Sequence, residues 1–493
     1  MNLAQAISAM GLIALPHIHA ADPVNVAFSE EIPSRPNIVL ILADDMGYGD
    51  PHCYNADSKI ATPNIDALAA AGMSFTDAHA AGPLCHLSRY GLMTGRYPFR
   101  AQPGKWANQP TIADDQVTVP QLLQTAGYQT AMVGKWHLGF HENGYDKPLV
   151  GGPIHRGFDS YFGIRASTDI PPYFYIRGDM AVSPPSNHIA ANNSDGWSKI
   201  QGAFWREGGI APDLELKDVL PRFTEEAITV IQDYAERPKA SRKPLMMYLA
   251  YPAPHTPWLP SAEFSGKSGA GMYGDFVMMV DHQVGQITRE LDAAGMADDT
   301  LLVFSSDNGP TWYDVDREEF GHDCAGGLRG MKSDAWEGGH RVPFIVRWPE
   351  VVERGCQSAT TINFVDVLAT VAEIVGLPLP EHAGPDSFSF HKVLTGSLPP
   401  EQTVRDDLII QSGGGFMTIR VEEWKLIDGL GSGGFSEPRK VKPIPGEASG
   451  QLYNLASDPA ESNNVFLKFP DIVERLKKRM QQLKQAEGHR FVR

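Results

Sequence analysis

Asn37-Ile38-Val39-Leu40-Ile41-Leu42-Ala43-Asp44-Asp45 is an apolar run that stops on two adjacent carboxylates. A strand with one wet face alternates apolar and polar residues. A run apolar at every position belongs to a strand covered on both faces, as in a parallel sheet. The arrangement recurs along the chain. Thr130-Ala131-Met132-Val133 leads into Gly134-Lys135-Trp136-His137, Leu245–Tyr251 into Pro252-Ala253-Pro254-His255, and Thr300–Phe304 into Ser305-Ser306-Asp307-Asn308-Gly309. A fifth run, Val342–Trp348, follows Glu337-Gly338-Gly339-His340-Arg341.

Helical patterns lie between the runs. Thr62-Pro63 fits an N-cap with proline at the first helical position, and that helix would continue through Asp66-Ala67-Leu68-Ala69-Ala70 to stop near Gly72. Residues 223–236 place Phe223, Ala227, Ile228, Ile231 and Tyr234 on one face, and Tyr273–Ala294 repeats Val277, Val280, Val284, Ile287 and Leu291 at helical spacing. Strands alternating with helices build βαβ units. The fold class expected is therefore α/β, with a large, mostly parallel central sheet flanked by helices over residues 33–390. Ligands of such sheets bind beyond the carboxyl ends of the strands. Four strands end here in Asp-Asp, Lys-x-His, His and Asp-Asn, so these groups are expected to meet. From about residue 400 the pattern changes to short strands at Phe416–Val421 and Trp424–Ile427, then a Gly/Ser-rich turn at 429–434. Ile472, Leu476, Met480 and Leu483 form one stripe of a following helix. Residues 400–493 thus read as a smaller C-terminal α+β subdomain containing an antiparallel sheet.

With 42% hydrophobic and 20% charged residues among 493, the chain has the balance of a globular protein. Its net charge of −17 argues against a general nucleic-acid binder, which needs a basic face. An anionic small substrate is not excluded, because a few local cations outweigh a distant surface. Residues 4–16 are apolar but too short to span a bilayer, and small residues follow near Ala20-Ala21. Residues 1–21 therefore read as an export signal, despite lacking Lys and Arg, with a periplasmic or secreted product and no membrane span. Four cysteines are no disulfide framework. If Cys85 is consumed chemically, Cys53, Cys324 and Cys356 leave room for one disulfide at most.

Asp44, Asp45, Asp307 and Asn308 offer hard oxygen donors, a set that suits Ca²⁺ or Mg²⁺ better than zinc. Either turn alone is usually only a turn; two of them, each at the end of an apolar strand, point to a metal site. Lys135, His137, His255 and Lys332 would add cations and proton carriers to a pocket for a tetrahedral anion. The segment Gly82-Pro83-Leu84-Cys85-His86-Leu87-Ser88-Arg89-Tyr90-Gly91-Leu92-Met93-Thr94-Gly95-Arg96 places a cysteine at a helix start with arginine one turn later. That is a plausible nucleophile beside an anion-binding helix terminus, or a buried structural cysteine.

Cys85-x-x-Ser88-Arg89 followed by Leu92-x-Thr94-Gly95-Arg96 resembles the signature of the formylglycine-dependent sulfatases of the alkaline phosphatase superfamily. The resemblance runs from Pro36 to about Asn464. It takes in Asn37–Asp50, Gly134-Lys135-Trp136-His137, Arg156-Gly157-Phe158-Asp159 and His255-Thr256-Pro257. Ser306-Asp307-Asn308-Gly309, Lys332 with Glu337-Gly338-Gly339, and Leu452–Pro459 with Glu461 complete it. It implies a sulfuric ester hydrolase, arylsulfatase-like, in which Cys85 is oxidised to formylglycine by a formylglycine-generating enzyme. It also implies one Ca²⁺ held by Asp44, Asp45, Asp307, Asn308 and residue 85. Arg89 would position the hydrated aldehyde, and Lys135 and Lys332 would bind sulfate. His255 with Lys332 would serve the leaving alcohol, and His137 would help to expel sulfate. Leu87 departs from the pattern, which usually has proline there, and this bears on how readily Cys85 is modified. Two other readings share the motifs: a phosphoric or phosphonic ester hydrolase, and a non-catalytic anion-binding relative with unmodified Cys85. The substrate, a sulfated small molecule or carbohydrate, would be chosen by loops 141–155, 166–215 and 310–328. There Tyr173, Phe174, Tyr175, Trp197 and Trp205 either stack on a ring or pack the loop.

Overall fold

The computed structural model describes residues 35–198, 200–238 and 242–486; the export-signal reading of residues 1–21 falls outside them. The opening apolar run is β1 (Asn37–Asp44), buried at every position. It lies at the middle of a ten-stranded sheet. The other strands are β2 (Met73–Phe75), β3 (Gln129–Lys135), β4 (Ser160–Ile164), β5 (Tyr175–Arg177) and β6 (Met180–Ala181), then β7 (Leu245–Pro254), β8 (Thr300–Ser306), β9 (Phe344–Arg347) and β10 (Cys356–Ser358). Their order across the sheet is β10-β2-β9-β8-β1-β7-β3-β4-β5-β6. The run β8-β1-β7-β3-β4 is parallel. The flanks are mixed: β9 is antiparallel to both β8 and β2, β5 is antiparallel to β4, and β6 is antiparallel to β5. The parallel expectation therefore holds for the centre, where strands are apolar throughout, and gives way at the shorter edges.

Helices cover the sheet: α1 (Pro63–Ala70), α2 (Cys85–Thr94), α3 (Val219–Ala235), α4 (Gly271–Ala293) and α5 (Val367–Ile374). Thr62 precedes α1 as expected but does not cap it; its hydroxyl faces Asp66 at 3.3 Å. The free N–H groups of Asn64 and Ile65 are taken instead by Asp281 Oδ1 on α4, at 3.0 and 2.8 Å. A carboxylate from a distant helix is an equally good acceptor for these orphan donors, and local sequence does not announce it.

The C-terminal part forms a four-stranded antiparallel sheet of β11 (Asp407–Gln411), β12 (Met417–Val421), β13 (Trp424–Ile427) and β14 (Gln451–Asn454). The amphipathic helix α6 (Pro470–Gln485) packs with Val473, Leu476, Met480 and Leu483 buried. This sheet is seamed to the rest by Ile427, Tyr453 and Leu455, packed on Ala335 and Trp336. Beside that apolar seam Lys425, 1% exposed, lies 2.9 Å from both Glu337 Oε1 and Glu461 Oε1. Removing one partner of a buried ion pair leaves the other charge uncompensated. Lys425→Met, which strands two carboxylates, is expected to lower unfolding free energy by about 3–5 kcal/mol. Denaturant titration checks this, and a loss under about 1 kcal/mol would mean that the clasp contributes nothing.

Candidate active site

The parallel centre places four strand ends along one edge. Ala43 stands opposite Ser306, Asp44 opposite Pro254, and Ala250 opposite Gly134. Asp44-Asp45, Asp307-Asn308, Lys135 and His255 therefore emerge side by side. Gly134 is needed for this: its φ is +116°, and a Cβ there would lie 2.0 Å from the Ala250 carbonyl oxygen. Asp45 and His137 adopt left-handed backbone with φ of 67° and 57°, a strain that surrounding contacts must hold. For Asp45 the hold comes from Asp307 Oδ1, which accepts its N–H at 3.3 Å, and from Ser306 Oγ, which accepts Met46 N–H at 2.9 Å.

Cys85 is the first residue of α2 and its thiol donates to Asp44 Oδ1 at 3.3 Å. One turn on, fully buried Arg89 donates through Nε and Nη2 to Asp307 Oδ2 at 2.9 and 2.7 Å. Its Nη1 donates to the Lys135 carbonyl at 2.8 Å, and Nη2 lies 3.5 Å from Asp44 Oδ2. The Lys135 ammonium bonds Asp44 Oδ2. Lys332 Nζ lies 2.7 and 2.8 Å from the two oxygens of Asp45. Asn308 donates through Nδ2 to Asp45 Oδ1 at 2.6 Å. Its Oδ1 is buried with no hydrogen-bond partner among the described residues. His255 turns Nε2 to Asp45 Oδ2 at 3.7 Å, while its Nδ1 lies 2.6 Å from Thr256 O.

The expected residues thus come together, with one qualification. His137 is buried beside them but neither ring nitrogen has a hydrogen-bond partner among the described residues. Its ring instead meets Trp106 edge-to-face at 4.3 Å and lies 5.7 Å from His86. Three further groups had no signal at their positions. Thr311 donates to Asp45 Oδ2 at 3.3 Å, Tyr248 OH lies 3.5 Å from Arg89 Nη1, and Asp169 Oδ1 lies 3.9 Å from His255 Nδ1. Tyr248 sat inside a strand read only as apolar, and Asp169 in a loop without a code. Tyr173, Phe174 and Tyr175 are buried, Phe174 against Tyr145 and Tyr175 against Phe162 and Phe223, and half-buried Trp197 packs on Trp258 and Phe320, so these four pack the loop against the rest of the fold. Cys53, Cys85, Cys324 and Cys356 are all unpaired by disulfides.

The electrostatics follow from burial against close charge. Burial would raise the Asp44 carboxyl, but Lys135, His255 and Arg89 hold it well below the carboxylate range. Asp307 moves the other way, raised by burial and by Asp44 more than Arg89 lowers it. Burial together with Asp307 and Asp44 pushes the Cys85 thiol well up. His137 is held well below its ordinary value by burial, then Lys135 and His86, and so is neutral. Asp45 holds Lys332 protonated against its burial. Ligand atoms of Asp44, Asp45, Cys85 and His255 lie within 4.8 Å of one another. Carboxylates, an amide with an idle oxygen and cations at the edge can hold a hard divalent ion and an oxyanion together.

The profile of the Sulfatase family matches residues 36–377. The N-acetylgalactosamine-6-O-sulfatase of Bacteroides thetaiotaomicron is 33% identical over 491 residues, covering 91% of this chain and 93% of that protein. Human steryl-sulfatase is 34% identical over 401 residues, covering 71% and 67%. A solved structure from the metabolism of multiple glycosaminoglycans by Bacteroides thetaiotaomicron superposes with a TM-score of 0.80 at 31% identity. It covers 92% of this chain and all of its own.

A ligand that binds only the folded chain stabilises it by about 2.7 kcal/mol at a hundred times its dissociation constant. Adding Ca²⁺ to chelator-treated protein is expected to raise the melting temperature. Asp45→Asn, which keeps the side-chain shape, is expected to raise the Ca²⁺ concentration needed for a given rise by about tenfold or more. Equal responses in both proteins would remove Asp45 from the ion's ligands.

Proposed function

This chain belongs to the sulfatase family and is a sulfuric ester hydrolase, and from that premise we propose that it is a calcium-dependent hydrolase of sulfated carbohydrates whose nucleophile is made from Cys85. The observation that carries the reading is the oxygen cluster: three buried carboxylates within reach of Arg89, Lys135 and Lys332, with Asn308 Oδ1 left unsatisfied. Like charges do not gather in a protein interior without cations to oppose them. Hard, partly anionic oxygens beside an idle amide oxygen fit Ca²⁺ by the chemistry of the donors. Asp44, Asp45, Asp307, Asn308 and residue 85 would hold it. Bound there, it would supply positive charge next to the transferring sulfate. Formylglycine at position 85 would, as the hydrated aldehyde, supply a nucleophilic hydroxyl toward sulfur.

The chain's own groups divide the remaining work. Arg89 fixes Asp307 and the Lys135 carbonyl, and so holds two strand ends and the start of α2 in one frame. Lys135 and Lys332 present ammonium groups to the sulfate oxygens. Lys332 and His255, both beside Asp45, would give a proton to the leaving alkoxide. His137, neutral in its aromatic niche, is able to accept one. A sugar alcohol is a poor leaving group, so a proton donor at that oxygen matters more than for a phenol. The sulfated-sugar reading also follows from the N-acetylgalactosamine-6-O-sulfatase relative. Export through residues 1–21 would place the enzyme in the periplasm or outside the cell, where such polymers are met. Its maturation requires a formylglycine-generating enzyme.

Sulfate release from N-acetylgalactosamine 6-sulfate, exceeding phosphate release from matched phosphate esters, tests the activity. The reverse ratio would favour the phosphoric or phosphonic ester reading. Lys135→Ala is expected to lower turnover of every sulfate ester by a similar factor of about 10²–10³; losses confined to bulky substrates would make Lys135 a specificity residue. Leu87 lies in the first turn of α2, buried, where N–H groups have no helical acceptor. Proline is accepted at such a position. Leu87→Pro is therefore expected to leave the fold intact and to raise the fraction of Cys85 with the aldehyde mass, with activity rising in proportion. Complete modification of the leucine protein would show that the departure is harmless.

A further inference from the structure

Asp169 sits in the loop 166–215, and its two carboxylate oxygens are used unequally. Oδ2 accepts from Arg206 Nη1, and the Asp169 carbonyl accepts from the same nitrogen at 3.1 Å and from Arg206 N–H at 3.2 Å. Oδ1 is buried and has no hydrogen-bond partner among the described residues. It lies 3.9 Å from His255 Nδ1, but that nitrogen is engaged by Thr256 O at 2.6 Å. The Asp169 side chain is 3% exposed and that of Arg206 46%. Arg206 is thus a half-exposed cation anchored on a buried carboxylate beside the group that serves the leaving oxygen. A buried carboxylate oxygen without a donor is unfavourable and calls for a partner.

We propose that Asp169 and Arg206 form the specificity subsite for the alcohol part of the substrate, reading one sugar hydroxyl close to the sulfated carbon. The hydroxyl donates to Asp169 Oδ1 and accepts from Arg206. The inference rests on the sulfated-carbohydrate reading above and adds to it the group that is recognised. A hydroxyl both donates and accepts, which matches an oxygen and a cation held together. A second sulfate or carboxylate would meet Asp169 as a like charge, and a bare aryl ring offers no donor. The His255 imidazole lies beside Oδ1, its Nδ1 3.9 Å away. A hydroxyl bound at Oδ1 thus sits next to the imidazole that serves the ester oxygen, so recognition of the sugar and placement of the proton donor share one corner of the site.

The test compares wild type, Asp169→Ala and Arg206→Ala on N-acetylgalactosamine 6-sulfate, its 3-deoxy and 4-deoxy analogues and its 4-epimer. Wild type is expected to lose about 10- to 100-fold in kcat/KM when the recognised hydroxyl is removed, the range for one hydrogen bond to a charged group. Asp169→Ala is expected to lose a similar factor on the parent sugar and to fall to within about threefold of it on the matching deoxy analogue, closing the double-mutant cycle. Equal losses on all four sugars would overturn the proposal, because Asp169 would then serve His255 or the fold. So would no loss on any. Should Asp169→Ala fail to fold, half-exposed Arg206→Ala carries the same expectation. Wild-type protein that frees sulfate from aryl esters but from none of the sugars would remove the carbohydrate reading itself, an outcome distinct from loss of discrimination alone.

Discussion

Arg89 is the contact on which the site depends. Asp44 and Asp307 leave neighbouring parallel strands at the same level, and in an interior without solvent two such carboxylates repel. The guanidinium bonds Asp307 through two nitrogens, approaches Asp44, and uses its remaining arm on the Lys135 carbonyl. Arg89 stands on α2, so the same bonds set the depth of Cys85, four residues earlier. A lysine at this position would offer one point charge where a planar fork is needed. The electrostatic problem and the placement of Cys85 have a single solution.

The sheet core and the site's first ring of residues were legible because each is local. A strand apolar at every position reports its own burial, and an Asp-Asn pair at its end reports its own location. The parallel centre then followed from general topology. Contacts made across long sequence separations were not legible. Asp281 capping α1, Tyr248 reaching Arg89 and Asp169 reaching His255 are each carried by one side chain whose neighbours look ordinary. The mixed flanks escaped for another reason. β5, β6 and β10 have three residues or fewer, too few for a period of two to show. The aromatic loop residues were ambiguous because an indole that stacks on a sugar and one that fills a loop core have the same composition.

The C-terminal subdomain is more than an appendage. Ser333 N–H donates to the Pro83 carbonyl at 2.6 Å, just before Cys85, and the Ser333 carbonyl accepts from Gly413 at 2.9 Å. Ala335 N–H donates to the Ser432 carbonyl at 2.8 Å, and Asp334 Oδ1 accepts from Phe435 and Ser436. The turn that carries Lys332 is thereby held between the Pro83–Cys85 segment and the loops of the antiparallel sheet. With Glu337 and Glu461 clasping Lys425, polar contacts and apolar seam secure the same boundary.

That linkage sets a timetable for synthesis. A ribosome delivers Pro83 and Cys85 long before Gly413, Ser432 and Lys425, and the stretch around Cys85 acquires its last neighbours only when the chain is nearly finished. Until then the start of α2 lacks the wall that Ser333 and its partners build over it. The nascent protein therefore carries Cys85 through most of its elongation before Ser333, Gly413 and Ser432, which close the polar contacts beside it, have all been added.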